Sequence, residues 1–221
     1  MLTTMTWNRR PLVPAVMAMA IAVLSVSPFR AAEGVLDRRV VIFAPTTGDL
    51  RVTPTREALA FWNDTLLDLR LGARLTEGAL VVASPLNRAL ENYAQQLWRQ
   101  AGRLSSDQPG PKAPRELLGV EGDIVVFLSK QRLMSFAWPV DQSERYFVAI
   151  GTRPNDPRNP VETHNVVAHE LGHALGLMHN GTATALMCSP CRSTLVSGFE
   201  GRFLPLTPID RRRLSELYDL R

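Results

Sequence analysis

The run from His169 to His179 reads H-E-x-x-H-x-x-G-x-x-H, and no other feature of the chain constrains it as much. In a helix, His169 and His173 lie one turn apart on the same face, so both imidazoles can reach one metal ion. Glu170 follows the first of them, where a carboxylate can hydrogen-bond a water without being a ligand itself. A helix that simply continued would carry His179 off this face. Gly176, of the residue type that adopts the left-handed conformation most readily, is expected to end the helix and swing the chain back, so that His179 supplies a third imidazole. Three neutral nitrogens with an open fourth position describe a catalytic zinc site; structural sites are usually closed by four protein ligands. A bare H-E-x-x-H arises by chance on surface helices. Here three of the chain's four histidines fall on the three ligand positions, with a glycine at the turn.

Eight residues after His179 stands Met187, in the sequence Ala185-Leu186-Met187. With the histidine run, this segment resembles the metzincin metallopeptidases, and within them the matrixins, whose Met-turn carries A-L-M at the same spacing. Further segments resemble matrixins more loosely: Ala60 to Thr65, like their backing helix; Glu121 to Phe127, like a strand deep in their sheet; and Leu206-Thr207-Pro208-Ile209-Asp210, like the start of their closing helix. The resemblance implies an α+β, metzincin-like zincin fold. Its parts would be a twisted, mostly parallel sheet with a backing helix and an active-site helix, then a small C-terminal subdomain with the Met-turn and closing helix. It also implies one catalytic zinc on His169, His173 and His179, Glu170 as the catalytic general base, and Met187 as an apolar floor beneath the metal. Matrixins hold a second, structural zinc with three further histidines and an aspartate. Only His164 is left over here, so that site is not expected, and the sequence gives no support for calcium. A gluzincin, with a downstream glutamate as third ligand, fits less well because Gly176 and Met187 are in register.

The first thirty-odd residues differ from the rest. Arg9 and Arg10 precede an uncharged apolar run from Leu12 to Val26, the layout of an export signal, though no good small-residue cleavage site follows. Residues 1–32 are therefore read as a signal peptide or N-terminal membrane anchor, and 33–221 as the catalytic domain, with an upper part 38–180 and a lower part 181–221. Three of the 25 basic residues and none of the 21 acidic ones precede Glu33, so the domain itself carries 22 against 21 and is near neutral. That balance gives no reason to propose nucleic acid as a partner. A peptide or protein substrate and a monomeric chain are expected, in a secreted, periplasmic or membrane-anchored location. Cys188 and Cys191 are the only cysteines. Two ligands are missing for a zinc knuckle, and a thioredoxin-like motif lacks its βα context. A local disulfide bracing the loop below the metal is the remaining reading for an exported chain.

Pattern reading places a strand at Arg39 to Pro45 and a helix opened by Thr53 as N-cap, with Pro54 first and Gly72 stopping it. A strand is expected at Ala79 to Ala83. An inserted helix at about 85–102 shows Leu86, Leu90, Tyr93 and Leu97 on one face. Residues 105–114 read as an exposed loop. Arg145 to Gly151 is expected to be the last strand before the active helix and the edge strand over the cleft. Thr163 is read as the active helix's N-cap. His164, five residues before His169, is turned about 140° from the ligand face and is expected to be solvated or capping. The closing helix would bury Leu214, Leu217 and Tyr218. These readings converge on an exported zinc endopeptidase; the alternative is an exported zinc-binding protein of the same fold with little or no turnover.

Overall fold

The computed structural model describes residues 35–100, 110–140, 144–152, 160–189 and 202–219, with the side chains of 160–162 left out. All belong to the unit Glu33–Arg221. The expected export segment and Cys191 lie outside the described residues. The elements run β1 (Leu36–Ala44), α1 (Val52–Asp68), β2 (Ala73–Val82), α2 (Asn87–Gln100), α3 (Arg115–Leu118), β3 (Ile124–Leu128), β4 (Phe136–Pro139), β5 (Tyr146–Ile150), α4 (Pro160–Ala174) and α5 (Pro208–Tyr218). The five strands form one sheet in the order β2-β1-β3-β5-β4. All pairs are parallel except the antiparallel β4–β5. The fold class is the expected one, with α1 as backing helix and α4 carrying the histidines.

The central strands are nearly continuous apolar runs because both faces of the sheet are covered. Side-chain alternation divides them into two cores. Val40, Ile42, Val126 and Val148 pack with Trp62, Leu66, Val167 and Leu171 of α1 and α4. Val41, Phe43, Phe127 and Phe147 pack on the other side with Leu90, Tyr93 and Leu97 of α2. The inserted helix therefore roofs the face away from the histidines.

Several local expectations fail. β5 is not the edge strand: β4, in a stretch given no strand by pattern, pairs outside it, and β5 is buried between two neighbours. Thr53 is not an N-cap. The helix starts after Arg51, whose N–H is accepted by the Asp49 side chain at 3.0 Å, while the Arg51 guanidinium bonds Ser129 and Ile150 carbonyls at the ends of β3 and β5. Gly72 does not stop α1; Leu69 ends it and Arg70 takes the left-handed turn at φ 57°. β2 begins at Ala73 rather than Ala79, its polar first half being tolerated on an outer strand. Thr163 lies inside α4, which starts at Pro160. The short α3, in a stretch given no helix by pattern, is held at its C-terminal end by Arg145, whose guanidinium bonds the Leu117, Leu118 and Val120 carbonyls.

Candidate metal centre

The active helix is fixed against α1 before any histidine is considered. Trp62 is fully buried, and its indole N–H donates to the Ala168 carbonyl at 2.9 Å, one residue before His169. On this base His169 and His173 project together. Each Nδ1 lies against a backbone carbonyl that can only accept: Leu186 at 2.7 Å for His169, Leu177 at 2.8 Å for His173. Nδ1 therefore carries the proton in both rings, and both Nε2 lone pairs are left to face a common point. Burial lowers the pKa of both rings, to about 4 for His173, against the opposing effect of the carbonyl bonds. Both are neutral near pH 7, the state a metal ligand requires.

The third imidazole arrives by a turn of defined form. Gly176 N–H bonds the His173 carbonyl at 2.9 Å and Leu177 N–H bonds the Gly172 carbonyl at 3.0 Å, the paired bonds of a Schellman motif. Gly176 itself has φ 89°. The returning chain brings His179 Nε2 to 3.2 Å from that of His169 and 3.0 Å from that of His173, while the first two are 3.2 Å apart. Nitrogens about 2.0–2.1 Å from one ion in tetrahedral geometry would stand about 3.3–3.4 Å apart. The three residues thus fit a single small cation. His179 is exposed, leaving the outer side of the cluster open.

Met187 is fully buried beneath. Gly172, between the first two histidines, makes that approach feasible: a Cβ there would fall 2.6 Å from Met187 Sδ and 3.0 Å from the Trp62 ring. The Met-turn is tied on both sides, with Asn180 N–H donating to the Met187 carbonyl at 2.8 Å and Leu186 N–H to that of Pro205 at 2.8 Å. Asn180 also donates from its side chain to Asp210 at 3.0 Å. Asp210 is the buried partner of Thr207 in the capping box that opens α5. Pattern reading saw Asp210 only as a helix start and missed this link to the residue after His179. Cys188 is disulfide-bonded, and Cys191 is the only other cysteine of the chain.

Glu170 follows His169 on α4 and is 7% exposed. His164 points away from the cluster as expected, but it is not solvated. It is buried against α1, pairs with the Glu57 carboxylate and meets Phe203 edge-on. The face opposite the ligands is the core face of α4, so a ring turned from the metal is turned into the protein.

Two histidines on a helix, a third behind a glycine turn and a methionine below form a group able to hold a metal ion. Residues 118–219 match the family model Peptidase_M10: Matrixin. The matrixin resemblance therefore holds over this stretch, which carries every candidate site residue. Among solved structures, archaemetzincin from Methanopyrus kandleri is similar at 15% identity, with TM-score 0.45 over 85% of this chain and 97% of that one. A second, titled "Structure of a chaperone-substrate complex", aligns at 16% identity with TM-score 0.43 over 76% of this chain, and this chain spans only 29% of it. No curated protein sequence matches.

Proposed function

We propose that this chain is an exported zinc endopeptidase in which Glu170 is the general base. The carrying observation is the convergence of three Nε2 atoms within 3.0–3.2 Å, two of them aimed by carbonyl bonds to Nδ1. His169, His173 and His179 would hold the ion, and zinc there would supply carbonyl polarisation and a more acidic water. Glu170 would take a proton from the attacking water as the water oxygen bonds the peptide carbonyl carbon. It then returns the proton to the leaving amine nitrogen as the C–N bond breaks. A carboxylate low in exposure suits both transfers, because burial keeps bulk water from competing for the proton. An extended substrate backbone would lie along β4, the edge strand beside β5, and add to the sheet there. The basic pair Arg9-Arg10 followed by an uncharged apolar stretch supports export.

The test is Glu170→Gln. Parent and variant should both hold one zinc per chain and unfold at similar temperatures, while peptide cleavage falls by orders of magnitude in the variant. A zinc-loaded parent that cleaves nothing in a diverse peptide library would instead make the chain a zinc-binding protein without turnover.

A further inference from the structure

The last carbonyls of an α-helix have no partner within it, and α4 ends where the third ligand must be launched. The turn satisfies the Gly172 and His173 carbonyls. The next two are held from afar. Arg38 of β1 donates from Nη1 to the Ala174 carbonyl at 2.7 Å, and the Tyr218 hydroxyl of α5 donates to the Leu175 carbonyl at 3.2 Å. These are the two residues immediately before Gly176. Arg38 is 7% exposed, also donates to the Glu144 backbone carbonyl, and lies 5.9 Å from the centre of the Tyr146 ring. A buried guanidinium suits this place because the negative end of the helix dipole and an aromatic face both favour a cation. A cavity of about 360 Å³ opens beside this exit, between Leu36, Tyr146, Leu175 and Tyr218.

We infer that Arg38 and Tyr218 are positioning residues for the metal centre, a pair of donors from opposite ends of the domain that sets where the Gly176 turn begins and hence where His179 arrives. This rests on the three histidines being the metal site. Neither side chain needs to touch the ion. Each fixes one peptide plane within the single turn that separates His173 from the left-handed residue, and small rotations there are magnified at the His179 ring. The Arg38 position carries a sequence signal in retrospect. It shares strand parity with Val40, Ile42 and Ala44, all buried in the core that contains α4, so its charge had to be directed at something inside.

The experiment uses the full chain as parent, Arg38→Met, Arg38→Lys and Tyr218→Phe, each also in a His179→Ala background. Zinc affinity is measured by competition with a chromophoric chelator, coordination geometry by the visible spectrum of the cobalt(II) form, and melting temperature on metal-free protein. Arg38→Met and Tyr218→Phe should weaken zinc binding about ten- to a hundredfold and change the cobalt bands, with Arg38→Lys restoring part of the loss. In the His179→Ala background the same changes should have no further effect on affinity. Unchanged affinity and spectrum in a zinc-binding parent series, or an equal loss without His179, would overturn the proposal even if melting temperatures fall. If Arg38→Met does not fold, Tyr218→Phe alone decides. A parent that takes up no zinc would overturn the metal reading itself, and this proposal with it.

Discussion

The three clustered histidines come from two regions held in different ways. His169 and His173 stand on a regular helix whose inner face is buried against Trp62, Leu66 and the sheet. His179 stands on an exposed return beside Met178, which is 75% exposed, and its position depends on one glycine and on contacts with β1, α5 and the Met-turn. Periodicity is enough to place the first pair. The third histidine also needs the turn at Gly176, and the hydrogen bonds from Arg38 and Tyr218 beside that turn are stated by no spacing rule. Damage to the first region should therefore act through global stability, and damage to the second through metal affinity.

The largest effect should come from Trp62→Ala. It removes a fully buried ring and its bond to the Ala168 carbonyl, and should cost about 3–5 kcal/mol of unfolding free energy. Denaturant titration measures this, and the molecules that stay folded should keep most of their zinc affinity. A specific collapse of zinc binding in well-folded Trp62→Ala protein would erase the distinction. Gly176→Ala comes next. An L-residue held at φ 89° costs about 1–2 kcal/mol, and the new Cβ would fall 2.7 Å from a flexible Leu217 methyl. Because the strain relaxes by moving the turn, chelator competition should show weakened zinc binding beyond what the loss of stability explains. The smallest effect should be that of Asp210→Ala, which removes one side of the α5 capping box and the acceptor for Asn180. Thermal unfolding should register about 1 kcal/mol, with a zinc affinity loss below that of Gly176→Ala. A larger loss would make the Asn180 link, rather than the glycine, the main determinant of His179 placement.

What was legible follows the same division. Leu90, Tyr93 and Leu97 announce α2 by spacing, and Thr207-Pro208 with Asp210 announces α5 by capping chemistry. The glycine turn and its left-handed backbone were legible too, because only one residue between His173 and His179 adopts that conformation easily. β4 was not, since four residues carrying Pro139 on an outer strand make no periodic signal. The start of α1 was misread because Asp49 and Arg51, tied to the ends of two strands, outweighed a local Thr-Pro signature. His164 was misread because its angle around the helix was considered without asking what the opposite face meets.

Gly172 changes how much information the metal-binding run contains. A pattern search writes the positions of Leu171 and Gly172 as x, meaning that any residue is allowed. In this molecule Leu171 is wholly inaccessible to solvent, and Gly172 has no room for even a methyl group between the Met187 sulfur and the Trp62 ring. Those two symbols are therefore silent only in the shorthand. A library that varied every x while preserving the histidines and glutamate would recover almost nothing but glycine at 172, and its surviving sequences would report the height of the methionine floor.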